Sequence, residues 1–187
     1  MVKKERNLYR KYLDIKDRPP VIEMDLRRVR ATFKRRYNHF VDQSYENIKG
    51  KSTRSVLTKI SQTFNRKCDG TMIYYSGITF QNGDFCILFD SSPTAKRISF
   101  NDIMRCWKKH RNPAQKHLLL ILDSNHSGHW ARKLMLANMN SVSIQTSCAY
   151  WQRAVVEEKL GSFFTHNLLK VVNKKRDELI QEPYLND

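Results

Sequence analysis

The sequence predicts an α/β domain, a mainly parallel sheet sandwiched by helices, entered through a basic helical N-terminal extension. Three observations predict it. Runs rich in Ile, Leu, Val, Phe and Tyr, namely Thr71 to Ser76, Phe85 to Asp90, Leu118 to Asp123 and Val142 to Thr146, read as strands. Segments with apolar residues at helical spacing lie between them, and near-continuous apolar strands alternating with helices belong to parallel sheets covered on both faces. The charge is concentrated at one end: residues 1–40 hold thirteen Lys/Arg against five Asp/Glu, a surplus of eight out of the chain's formal +16.

At 187 residues with 40% apolar side chains, the chain suits one core. Residues 1–40 form the extension, 41–175 the globular domain and 176–187 a tail. Pro19-Pro20 breaks the first basic segment, since neither proline donates a backbone hydrogen bond. Glu23 to Phe40 can then run as a helix docked through Met24, Leu26, Val29, Phe33, Tyr37 and Phe40, with Arg27, Arg28, Arg30, Lys34, Arg35 and Arg36 opposite. Ser52 to Phe64 places Val56, Leu57, Ile60 and Phe64 at helical spacing behind a Ser or Thr cap. Further helices are predicted at Ser99 to His110, Trp130 to Asn138 and Ser162 to Asn173. Within "ITFQNGDFCILF", Asn82-Gly83 between strand-like flanks signals a type I′ hairpin turn.

Several function classes lose support at this point. Cys68, Cys86, Cys106 and Cys148 show no CxxC pairing, so zinc is disfavoured, and three of them lie within or beside apolar stretches, which suits reduced core thiols in an intracellular protein. No apolar run approaches the ~20 residues that span a bilayer, and the N-terminus has no signal-peptide apolar region. A mitochondrial presequence would be acid-poor, whereas Glu5, Asp14 and Asp17 interrupt this one; a mitochondrial or a cytoplasmic site stays open. Neither a P-loop nor a dinucleotide glycine pattern is present, and no cofactor is expected.

In a parallel sheet, ligands and catalytic groups collect beyond the carboxyl ends of the strands. The strand ends to watch are "MIYYSGIT", "LLLILDSNHSGHW" and "SVSIQTSCAYW". "IYYSGIT" resembles the strand that, in caspase-like cysteine peptidases, ends Tyr-Ser-Gly-His-Gly and carries the catalytic histidine. "LLLILDSNHSG" resembles the strand that in metacaspase-like members ends Asp-x-Cys-His-Ser-Gly and carries the nucleophile, and "GSFFTHNLL" is similar to the family's later helix start. The two main motifs stand in the family's order about fifty residues apart, within a resemblance running from about Tyr45 to Val172. The family's first strand or two have no clear counterpart.

The resemblance implies a caspase-like fold without its chemistry. Ile78 stands where the family places its histidine base, Thr79 where it places the following glycine, and Asn125 where it places the nucleophilic cysteine. Such chemistry needs a thiolate beside an imidazole, and neither a carboxamide nor an isoleucine substitutes. A relocated pair of His126 and Cys148 is the one remaining hydrolytic route, although the family already has a non-catalytic histidine at the position of His126. Asp123 resembles the acid that lines the pocket of metacaspase-like members preferring basic residues, and a strand-end Asp also commonly caps the following turn. Asp123, His126 and Cys148 thus mark a vestigial pocket.

Trp107, Trp130, Trp151, Tyr74 and Tyr75 fall on segments expected to pack against the sheet, so core burial is their expected fate. No RNA-recognition signature accompanies them, and contact with nucleic acid should run through phosphates. The expectation is an inactive caspase-like subunit of a larger assembly, with other protein subunits as partners and no small-molecule substrate. A ribonucleoprotein such as an organelle ribosome fits the charge, because each cation that neutralises a phosphate releases counterions. The candidate phosphate contacts are Lys3, Lys4, Arg6, Arg10, Lys11, Arg27, Arg28, Arg30, Lys34, Arg35 and Arg36. The alternatives are a pseudoenzyme regulator of an active caspase-like peptidase and a basic scaffold on acidic microtubule surfaces.

Overall fold

A computed structural model describes residues 20–37, 51–87, 96–157 and 159–181. Helix α1 (Pro20–Tyr37) opens on a proline, whose missing N–H is one that a first helical turn leaves unused anyway. Its buried stripe is Asp25, Val29 and Thr32, while Met24 and Leu26 are only half-buried; an acid therefore sits in the face expected to be apolar. The side chain of Tyr37 and all of Phe40 lie outside the described residues. Helix α2 (Thr53–Phe64) is capped by Ser52, whose Oγ accepts from the Ser55 amide at 3.0 Å.

Strands β1 (Gly70–Ser76), β4 (His117–Asp123) and β5 (Val142–Thr146) form a parallel sheet in the order β1-β4-β5. The register runs from Gly70 opposite His117 to Ser76 opposite Asp123, and from Leu118 opposite Val142 to Leu122 opposite Thr146. β2 (Phe85–Ile87) departs from expectation. It pairs antiparallel with β3 (Lys96–Ile98) outside the central sheet, and the remainder of the Phe85 to Asp90 run lies outside the described residues. Its aromatic ring is the reason for this placement: Phe85 stacks on Tyr75 at 3.7 Å and on Trp130 at 4.3 Å, so β2 lies over the sheet rather than at its edge.

The Asn82-Gly83 turn also differs from the two-residue type I′ form. Gly83 is left-handed at φ +80° but Asn82 is not, the Gly83 amide bonds to Phe80 O at 2.9 Å, and the Phe80 amide bonds to Asp84 O at 2.9 Å. These bonds close a three-residue loop ending in a left-handed glycine.

Helix α3 (Phe100–His110) starts in a capping box. The Asp102 amide bonds to Ser99 Oγ at 3.2 Å and the Ser99 amide to Asp102 Oδ2 at 2.9 Å, while Lys108, Lys109 and His110 suit the negative end of its dipole. Helix α4 (Gly128–Ala137) begins two residues before the expected Trp130 and ends on Asn138 in the left-handed region. A two-stranded hairpin, β6 (Val156–Glu157) and β7 (Gly161–Ser162), leads into α5 (Phe163–Gln181).

Side chains on a strand alternate, and β4 sends them to two different layers. Leu118, Leu120 and Leu122 join Val56, Phe64, Ile87, Ile98, Ile103, Trp107 and Trp130 in the main core, under α2, α3 and α4. The face bearing Asp123 turns to α5, on which α1 packs. Helices thus cover both faces of the sheet. Trp107 and Trp130 are buried at 1% and 0% exposure, but Trp151 is 65% exposed, against expectation. It follows β5 in a turn held by backbone bonds, so no packing element carries it inward. All four thiols are unpaired, and burial pushes the Cys86 thiol up to about 11, with the nearby Arg97 opposing. No described helix is long and apolar enough to cross a membrane.

Trp130→Ala, which removes the middle of the stack formed with Phe85 and edge-on Phe100, should cost about 3–5 kcal/mol in denaturant unfolding. A loss below about 1 kcal/mol would show that the aromatic stack is not a main support of the core.

Candidate functional site

The pairing of Ser76 with Asp123 brings the loops after β1 and β4 side by side. The Thr79 hydroxyl donates to Asn125 O across the gap. Ile78 is half-buried, and its carbonyl accepts from the Tyr75 hydroxyl at 2.6 Å and the Cys86 amide at 3.0 Å. The loops that carry positions 78 and 125 therefore touch through Thr79, with an alkyl group at one position and a carboxamide at the other.

Asn125 is engaged. Its Oδ1 accepts from the Ala154 amide at 2.8 Å, in the turn that follows β5. More bonds stitch the same two segments: the His126 amide to Gln152 O at 3.0 Å, the Gly128 amide to Cys148 O at 3.1 Å and the Ser124 amide to Ser147 Oγ at 3.1 Å. His126 adopts a left-handed φ of 59°, with its Nδ1 3.0 Å from Tyr150 O. At Gly128 the approach is so close that a Cβ would stand 2.6 Å from the Tyr150 amide nitrogen. The loop after β4 and the turn after β5 form one bonded seam.

That seam separates His126 from Cys148 chemically. The Cys148 thiol donates to Ser124 O at 3.3 Å and Gln152 O at 3.4 Å and lies 3.6 Å from Ser127 Oγ, while the imidazole faces a different carbonyl. Among the described residues no hydrogen bond joins His126 to Cys148, and each side chain is held by different partners. Nor does any described group of three or more His, Cys, Asp or Glu side chains suit a metal ion.

Asp123 is 4% exposed; its Oδ2 accepts from the Thr165 hydroxyl at 2.6 Å and from the Tyr74 hydroxyl at 3.4 Å, and those two hydroxyls lie 2.7 Å apart. Elements α5 and α1 fill the space over this strand end. Burial raises the Asp123 carboxyl above the ordinary aspartate range, against the pull of the surrounding hydroxyls.

Asp25 of α1 joins this layer, and apolar periodicity alone does not reveal it. Its Oδ2 accepts from the Ser162 amide at 2.8 Å, whereas its Oδ1 is buried without a hydrogen-bond partner. Burial is the main cause of its raised carboxyl; the Ser162 amide opposes the rise, the charge of Asp123 adds to it, and Arg28 and His166 oppose it. The available signal was the spacing of Asp25, Val29 and Thr32, which places all three on one helical face.

The basic residues divide. Lys3, Lys4, Arg6, Arg10 and Lys11 lie outside the described residues, as do the side chains of Arg35 and Arg36. Arg27 is exposed beside Glu23 at 3.5 Å, and Lys34 is exposed. Arg28 reaches inward instead, donating to Leu160 O at 2.7 Å, and Arg30 is half-buried.

A buried carboxyl with a raised folded pKa binds its proton more tightly in the native state. Its stabilising contribution is full below about pH 4 and is lost as pH rises through the folded value. Asp25→Asn should therefore gain melting temperature over wild type progressively as pH rises above about 4; a pH-independent difference would show that Asp25 is not held protonated. Separately, Asn125→Ala should cost about 1 kcal/mol and speed hydrogen exchange at the Ala154 amide, whereas unchanged exchange would deny the carboxamide its bracing role.

No protein-family model matches the chain, and no curated protein matches it either.

Proposed function

We propose that the chain is a catalytically inactive domain of caspase-like ancestry that serves as a structural subunit of a larger ribonucleoprotein assembly, its basic arm contacting RNA phosphates. One observation carries the inactive reading. The two adjoining strand-end loops present Ile78 and Asn125 where the resemblance puts base and nucleophile, and the Asn125 carboxamide is committed to the Ala154 amide. A general base and an activated nucleophile must lie within hydrogen-bond reach of each other, and these side chains can play neither part. The same carboxamide does what a cysteine thiol does poorly, which is to accept a backbone hydrogen bond, so the position reads as converted from chemistry to bracing.

The RNA partner is supported by charge. Half of the formal +16 lies in residues 1–40, and exposed Arg27 and Lys34 stand on one helix of that arm. Cations on a fixed helix contact phosphates without reading bases and make affinity fall steeply with salt. An organelle ribosome is one setting of this kind.

A second reading, a regulator that pairs with an active caspase-like peptidase, draws on Val155, Val156 and Phe163, apolar residues exposed at 67%, 54% and 56% along the β6–β7 hairpin. Sedimentation of the natively purified protein separates the two. A large particle that collapses on ribonuclease treatment is expected, and a small, ribonuclease-insensitive species containing a peptidase would favour the regulator.

Reversing two exposed charges, Arg27→Glu with Lys34→Glu, should weaken single-stranded RNA binding by the full chain and lower the slope of log affinity against log salt by about 1 for each phosphate no longer engaged. Arg28 is left intact in this variant because an acid there would face Leu160 O and Asp25. Unchanged affinity and slope would remove the arm from the RNA interface.

A further inference from the structure

The chain has three tryptophans, and the structure treats one of them differently. Trp107 and Trp130 are buried, whereas Trp151 is 65% exposed on the turn between β5 and β6. Its ring stands edge-on to Tyr150, with centroids 4.5 Å apart and planes at 88°. Arg132 of α4 lies over the other aromatic, its Cζ 4.3 Å from the centre of the Tyr150 ring, and His129 is tilted against the same ring at 5.3 Å. Arg153, on the same turn, is exposed, and neither it nor Arg132 forms an ion pair among the described residues.

The local charge is one-sided. From Ser124 to Val156 the sequence contains no Asp or Glu, while it contains Arg132, Lys133 and Arg153 together with His126 and His129. Lys133 is drawn off by Asp84 at 3.5 Å, while Arg132 stays over the Tyr150 ring and Arg153 follows Trp151 by two residues.

The turn that carries the rings is also held in advance. Asn125 Oδ1 fixes the Ala154 amide, Gln152 O receives the His126 amide, Gln152 Oε1 receives the Ala149 amide at 3.1 Å, and Tyr150 O is 3.0 Å from His126 Nδ1. A ligand seated there would not have to order the backbone, which is the usual cost of binding on a loop.

We propose that Trp151 and Tyr150, flanked by Arg132 and Arg153, form a stacking platform for an unpaired nucleobase, a second point at which the chain grips single-stranded RNA. The inference rests on the RNA reading above and adds a base-contacting site to an arm that touches only phosphates. Exposed aromatics beside arginines are the composition by which proteins hold single strands: each base offers a π-face to a ring, and a guanidinium serves both ring and phosphate. Val155 and Val156 adjoin the platform and would suit a protein surface, but an aromatic pair on a stretch that carries Arg132, Lys133 and Arg153 and no acid before Glu157 complements a polyanion better.

The test is fluorescence anisotropy of a labelled single-stranded 12-mer RNA, and of the same strand made abasic throughout, titrated with the full chain. Four proteins are compared: wild type, Trp151→Ala, Trp151→Phe and the Arg27→Glu/Lys34→Glu double variant. Trp151→Ala should bind the RNA about ten-fold more weakly with its salt slope unchanged, Trp151→Phe should keep most of the affinity, and the wild-type advantage over Trp151→Ala should vanish on the abasic strand. Circular dichroism should be the same for all, since residue 151 lies in solvent. RNA affinity retained in Trp151→Ala overturns the platform, as does a loss that persists on the abasic strand. If the double variant alone weakens binding, the arm stands and the platform falls; if Trp151→Ala alone does, the platform stands without the arm. Failure of the wild type to bind single-stranded RNA overturns both.

Discussion

The parallel pairing of β1 with β4 is the constraint on which the rest of the site depends. Because Ser76 lies opposite Asp123, the chain leaves both strands at the same height, and the two loops that follow have no choice but to share space. A slip of one residue would turn every side chain of β4 to the other layer, placing Leu122 where Asp123 now meets Thr165 and driving a carboxylate into the aromatic core. Leu119 and Ile121 on the other face are apolar too, so it is the cost of burying Asp123 without its hydroxyl partners that forbids the slip. Core packing and site geometry are in this sense one decision, made by the same strand.

Two devices then close the carboxyl end of the sheet. On one flank the turn after β5 is tied down by Asn125, His126 and Gly128, leaving its aromatic tip in water. On the other, α1 and α5 cover Asp123 with hydroxyls and a second carboxyl. The contrast is in polarity and charge: a turn with aromatic rings and arginines faces outward, and an acidic, hydroxyl-rich side faces inward.

Much of this was legible in the residues themselves, for identifiable reasons. β5 runs from Val142 to Thr146 as expected, and β1 and β4 each begin one residue before the expected start, because buried parallel strands concentrate β-branched and aliphatic residues. That the loops carrying Ile78 and Asn125 lie side by side could be expected from two neighbouring parallel strands. What Asn125 does there could not, since its partner Ala154 is brought to it only by the fold. Asn82-Gly83 misled because a type I′ turn needs a left-handed φ at both residues, and here Asn82 stays in the ordinary region while the loop takes a third residue. Asp25 escaped because apolar periodicity assigns every acid to the wet face. Trp151 escaped for the opposite reason, since composition cannot distinguish a tryptophan that finishes a core from one offered to solvent.

The glycine at 161 links this architecture to its history. It sits at φ +85° with its α-carbon so near α1 that any side chain's Cβ would fall 2.2 Å from Asp25 Oδ1. Positions 25 and 161, far apart along the chain, are consequently bound to one another in what they can become: a larger residue at 161 is admissible only if the helix first withdraws or gives up its acid. Sequences descended from a common ancestor with this one should change at the two sites together or not at all. A relative that carries a side chain at 161 would be expected to hold its N-terminal helix elsewhere, and to leave Asp123 open to whatever approaches the end of the sheet.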